Sequence, residues 1–130
     1  MPSNPDCPHE RLTHEIIGAF FDVYNTLGSG FREIVYEQAL QLALDDRGLR
    51  ADRQRSLRIQ FRGRRVGLFR TDLIVEDAVV VELKALPSLE RSHIAQVLNL
   101  LRATDLEVAL LFNFGPRPQI KRLVHSRRSR

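Results

Sequence analysis

The chain has 130 residues, 43% of them hydrophobic and 28% charged, a balance that fits one globular domain and excludes a disordered or fibrous protein. Twenty basic against sixteen acidic side chains leave a formal charge of +4, which permits an anionic partner without requiring one. A single cysteine, Cys7, excludes an intramolecular disulfide and a CxxC-type zinc site, and no apolar run approaches the ~18 residues of a membrane span.

The opening Met-Pro-Ser-Asn-Pro-Asp has neither the basic start nor the apolar stretch of a signal peptide, so a soluble, cytoplasmic chain is expected. Residues 1–8 carry three prolines and no period, and read as an arm before a single domain over 9–125; residues 126–130 read as a basic tail. From His9 to Leu27, apolar residues at Leu12, Ile16, Phe20, Val23, Tyr24 and Leu27 predict an amphipathic helix. Gly28-Ser29-Gly30 breaks it, with Gly28 suited to the left-handed position after a helix end. A second helix is predicted over 32–47, with Ile34, Leu40, Ala43 and Leu44 turned inward and Gly48 as its stop.

The period then changes. Leu57, Ile59 and Phe61 alternate with Arg58, Gln60 and Arg62, which predicts a strand with one wet face, and Gly63 marks a turn. Residues 66–75 and 79–85 predict two further strands, the second largely buried. Pro87 stops it, and Ser88 is placed to cap a helix that runs to about Ala103 on the stripe Ile94, Val97, Leu98, Leu101. Residues 107–112 predict a buried strand, 113–118 a turn, and 119–125 a last strand or helical turn. The order ααβββαβ(β) makes the fold class α+β, a mixed central sheet of four to five strands flanked by helices.

The register of the hairpin 70–75/79–84 decides the chemistry. A two-residue loop sets Asp72 opposite Val81 and mixes both faces. A three-residue loop, 76–78, gathers Thr71, Leu73, Val75, Val79, Val81 and Leu83 on one almost wholly apolar face. Burial selects the second register, because a one-residue slip flips every side chain. Asp72 then stands opposite Glu82, with Lys84 two residues on and on the same side. Two carboxylates ~4.5–5.5 Å apart at Cβ repel unless a positive charge lies between them, and hard oxygen ligands of this kind suit Mg²⁺ or Mn²⁺. Of twenty basic residues only Lys84 and Lys121 are lysines, so a titratable amine beside the acidic pair stands out against a chain that otherwise uses arginine. A purely structural ion-pair cluster is the competing reading of these three residues.

The segment Gly30-Phe31-Arg32-Glu33-Ile34-Val35-Tyr36 resembles the signature of the GxxExxY family. Arg70-Thr71-Asp72-Leu73, Glu82-Leu83-Lys84-Ala85, Ala95-Gln96-Val97-Leu98-Asn99 and Leu111-Phe112-Asn113-Phe114-Gly115 resemble its further blocks, in order, over roughly residues 10–125. That family is placed in the PD-(D/E)XK nuclease superfamily, so the resemblance implies a restriction-endonuclease-like core. It also implies that Asp72 and Glu82 bind Mg²⁺ or Mn²⁺ with the Leu83 carbonyl, that Lys84 is the catalytic lysine, and that Glu33 joins from the helix. Gln96 then matches the glutamine of a Gln-x-x-x-Tyr motif whose tyrosine position is Leu100 here. Tyr36 either holds the Glu33 carboxylate or is a core tyrosine.

Nine arginines fall between Arg47 and Arg70, and six basic residues between Arg117 and Arg130. Arg58, Arg62, Arg64, Arg65, Arg70, Lys121 and Arg122 are the expected phosphate contacts, against the alternative of a solvated face. The expected function is metal-dependent hydrolysis of phosphodiester bonds in DNA, with a homodimer as the analogous way to cut two strands. The alternatives are a non-catalytic nucleic-acid-binding or regulatory subunit of the same fold, and a protein–protein module.

Overall fold

The computed structural model describes residues 7–125, so most of the expected arm and all of the tail lie outside the described residues. Helices α1 (Glu10–Leu27) and α2 (Glu33–Asp46) come first, within a residue or so of their predicted bounds. Strands β1 (Ala51–Arg53), β2 (Ser56–Phe61), β3 (Arg64–Arg70), β4 (Leu73–Val75) and β5 (Val79–Lys84) follow, then α3 (Arg91–Ala103), β6 (Val108–Phe114) and β7 (Pro118–Val124). The mixed α+β architecture holds, with five strands in the order β1-β4-β5-β6-β7 and a separate pair β2-β3.

Five details depart from the sequence reading. The run 66–75 is not one strand: it bends at Thr71-Asp72 and continues as β4. The three-residue β1 was too short to show alternation. Ile34 faces solvent, 40% exposed, and Tyr36 takes the inward position in its place. Asn113 and Phe114, expected in a turn, extend β6. Glu90, not Ser88, caps α3: Glu90 and His93 form a reciprocal capping box in which the Glu90 amide donates to His93 Nδ1 at 2.9 Å.

The bend has a simple origin. Arg53↔Leu73 in the β1–β4 pair and Ser56↔Arg70 in the β2–β3 pair keep the same offset. The gap between them is bridged by Gln54 N–H to Asp72 C=O and Thr71 N–H to Arg55 C=O, both at 2.9 Å. β1–β2 and β3–β4 are therefore one long antiparallel hairpin whose lower half joins the main sheet and whose upper half leaves it. Gln54 lies at φ 57 at the bend, and a register shift at Ile59/Gln60 twists the upper half further.

Hydrophobic burial holds the sheet from both sides. α1 and α2 cover one face through Ile16, Phe20, Val23, Tyr36, Leu40 and Leu44 against Leu73, Val75, Val79, Val81, Leu110 and Phe112. Aromatic packing fixes that layer: the Tyr36 ring stacks on Phe114 at 4.2 Å and 11°, and Phe20 on Phe112 at 4.5 Å. α3 covers the other face through Val97, Leu100 and Leu101 against Val80, Ala109 and Leu111, with Leu57, Ile59 and Phe69 of the upper hairpin closing the side.

Candidate active site

The hairpin register is the one burial selects. Val75 pairs with Val79, Ile74 with Val80 and Leu73 with Val81, so Asp72 and Glu82 follow as the next positions. Ala78 N–H closes the turn on Val75 C=O, and Glu76 and Asp77 both adopt positive φ, 53° and 54°, where glycine is usual. Side-chain contacts hold that strained pair: the Arg50 amide donates to Glu76 Oε2 at 2.7 Å, and Arg55 pairs closely with Asp77. The bend presents Asp72 to β5. The Leu83 amide donates to Asp72 Oδ2 at 2.8 Å, and the Asp72 amide to Glu82 Oε1 at 3.3 Å.

Glu82 is 9% exposed. Burial first, then the negative charge of Asp72 and a hydrogen bond between the two carboxyl groups, push its pKa up to about 9, while the Asp72 amide and the charge of Lys84 pull the other way. Two carboxyls that meet in a low-dielectric setting hold a proton where a cation would serve as well. Lys84, half-buried, lies two residues along β5, beside Asn113 of the parallel strand β6. Its position is fixed from behind. The fully buried Asn113 amide clasps both the N–H and the C=O of Leu86, at 2.8 and 3.0 Å, and Gln119 Oε1 accepts from Leu89 N–H. Glycine is needed at 115 because a Cβ there would overlap the Leu86 carbonyl oxygen.

A cleft of about 600 Å³ opens beside Asp72, lined by Phe31, Glu33, Glu37, Gln54 and Leu83 among others. Glu33, at the exposed first position of α2, lines this cleft but does not close with Asp72 and Glu82 into a three-carboxylate cluster; among the described residues there is none. Glu37, one turn further, is buried, and its Oε1 accepts from Gln54 Nε2 at 2.6 Å and Arg53 Nε at 3.4 Å. It ties α2 to the bend. Neither Glu37 nor Gln54 carries a period or motif that marks it in the sequence, because their roles depend on a bend between two strands that propensity does not reveal.

Tyr36 is a core residue and does not hold Glu33. Its hydroxyl donates to Gly28 C=O at 2.7 Å and accepts from Phe31 N–H at 3.2 Å, anchoring the loop that leads into α2. Gly30 sits at φ 108 in that loop, a backbone role. Gln96 is exposed on α3 and is not among the residues lining the cleft, while Leu100, one turn on, is buried in the core.

The arginine-rich stretch divides in two. Arg47 bridges Glu15 and Asp22, Arg50 and Arg55 both pair with Asp52 and Asp77, and Arg53 pairs with Glu37. These four are the scaffold's own. Arg58, Arg62, Arg64, Arg65 and Arg70 are exposed on the upper hairpin, along with Lys121 on β7. Arg122 is half-buried and turned inward, donating to the Pro8 carbonyl at 2.7 Å and to Thr13 Oγ1 at 3.4 Å.

Two carboxyls thus meet where β4 and β5 leave their hairpin, with a lysine two residues on along β5 and a helix acid, Glu33, lining the cleft beside Asp72. A family model of the PD-(D/E)XK nuclease superfamily matches residues 10–123, and the chain belongs to that superfamily. The mixed five-stranded sheet between helices agrees with its restriction-endonuclease-like core. Searches of curated proteins and of solved structures found no match. No described helix is long and apolar enough to cross a membrane.

Proposed function

We propose that the chain hydrolyses phosphodiester bonds in DNA with the help of Mg²⁺ or Mn²⁺ held at Asp72 and Glu82. The observation that carries this reading is the meeting of those two carboxyls, one of them pushed up to about 9 by burial and by the other's charge. A pair of hard oxygen donors, with no histidine or cysteine cluster beside it among the described residues, fits a cation that keeps several waters and a substrate phosphate; it does not fit a closed zinc cage. When bound, such an ion polarises the scissile phosphate and acidifies its water.

The chain's own groups do the rest. Asp72 and Glu82, with the Leu83 carbonyl, form the hard-ligand set, and Glu33 adds a carboxylate from the α2 side of the cleft. The Lys84 ammonium orients the attacking water and offsets the charge that grows on the phosphoryl oxygens. Gln96, exposed on α3 outside the cleft, meets the substrate backbone beyond the cleft and not at the reacting phosphate. Arg58, Arg62, Arg64, Arg65, Arg70 and Lys121 grip flanking phosphates and position the strand without reading bases. Arg122, occupied with Pro8 and Thr13, contributes to the fold at that edge.

Purified protein incubated with supercoiled, linear and branched DNA, in Mn²⁺ or in EDTA, tests the reading. Wild-type protein cleaves at least one of these in Mn²⁺ and none in EDTA, and Lys84→Ala loses about a hundredfold or more of the rate. Cleavage that persists in Lys84→Ala contradicts the assignment. A folded protein that cuts nothing leaves the non-catalytic, nucleic-acid-binding alternative.

A further inference from the structure

The upper hairpin exposes more than charge. Phe61, Val66 and Leu68 are 59%, 63% and 58% exposed, the most open large apolar side chains of the described sheet residues. They stand among arginines that have no carboxylate partner among the described residues: residues 56–70 contain no acid, and the ion pairs of the neighbouring stretch all fall on Arg47, Arg50, Arg53 and Arg55. Leu57, Ile59 and Phe69 turn one face of the hairpin onto the core; Phe61, paired with Arg64, continues that face beyond the core to the tip, and Leu68, paired with Arg58, stands on the other face. Arg62 and Gly63 make the tip with φ of 51° and 76°, and the Arg62 guanidinium sits 4.9 Å above the Phe61 ring.

We infer that the β2–β3 hairpin is an arm for unpaired nucleotides, on which bases stack against Phe61 beside its cross-strand partner Arg64, while Arg58, Arg65 and Arg70 on the ribbon's other face hold phosphates as the strand passes its edge. Phosphate contact alone needs only the arginines; an exposed aromatic ring that already carries a cation supplies what a base face needs. A run of five unpaired positive charges fits a polyanion and repels a second copy of the same arm. The arm leads directly to the cleft: β3 ends at Arg70, two residues before Asp72, and the tip stands roughly 20 Å away at ~3.3 Å per residue. The inference rests on the nucleic-acid partner proposed above and narrows it to single-stranded or splayed substrate.

Binding of the full chain to a fluorescein-labelled oligothymidine and to a duplex of equal length, in EDTA, tests it apart from cleavage. Phe61→Ala weakens binding to the single strand about tenfold or more and changes duplex binding by less than about twofold. Arg64→Ala combined with Arg65→Ala weakens both and flattens the salt dependence by roughly one to two in slope. The chain contains no tryptophan, so Phe61→Trp introduces one indole, whose fluorescence is quenched by the single strand and not by the duplex. The binding is measured without metal, so an absence of cleavage alone leaves the arm standing. Equal binding of Phe61→Ala and wild type to the strand overturns the inference, as does an indole that bound strand leaves unquenched. A Phe61→Ala change that alters only self-association also overturns it, in favour of a second copy.

Discussion

A carboxyl group held at about 9 in the folded chain and near 4.5 when unfolded binds a proton in the native state that the unfolded state releases. Between those values the folded protein carries more protons, so Glu82 makes metal-free stability fall as pH rises from about 4.5 to about 9, with no penalty below that window. Glu82→Gln keeps the shape and cannot ionise. In EDTA its melting temperature therefore exceeds that of wild type by a margin that widens between pH 5 and pH 8, at about 3–6 °C for each kcal/mol in a domain of this size. Thermal melts across that range check it, and a margin that does not change with pH contradicts the burial argument. At this scale Asp72, Glu82 and Lys84 were legible, since a period-two pattern and the demand for one apolar face fix their side of the ribbon. Glu37, Gln54 and Asn113 were not, because each acts through a contact between elements distant in the chain.

Helices α1 and α2 were legible because their apolar stripes and glycine stops lie within the segment itself. The long hairpin was read only in part. Alternation marked 57–61, but the bend at 54–55 and 71–72 comes from backbone bonds between its two arms and leaves no local trace. The strap after β5 was misread for a related reason: Ser88 has the right chemistry for a cap, yet Asn113 and Gln119 pull residues 86–89 onto the sheet and delay the helix until Arg91. That docking requires a bare Cα at 115. Gly115→Ala forces a methyl group against the Leu86 carbonyl and costs about 1–3 kcal/mol, read by urea unfolding, while Gly67→Ala in β3 costs less because its methyl group meets only the Ile59 Cβ at 3.9 Å. Equal effects at the two positions contradict the account of the strap.

Across the whole molecule, charge is organised into two populations that composition cannot separate. Four arginines neutralise acids of the scaffold, and those on the upper hairpin face solvent with no ion pair among the described residues. Sequence showed the cluster; only the fold shows which members are free. The free ones lie on the arm that continues into Asp72, so the charge proposed to grip the strand shares one hairpin with the first of the two carboxyls, and β5 brings the second, Glu82, against it. The central claim is that those carboxyls hold a divalent cation. Titration of Mn²⁺ against thermal stability near neutral pH tests it most directly: a hundredfold excess over the dissociation constant stabilises a binding fold by about 2.7 kcal/mol. The account predicts a rise of several degrees in the wild type that Asp72→Ala abolishes and Glu82→Gln largely removes. A wild type indifferent to Mn²⁺, or a rise that survives in Asp72→Ala, contradicts it.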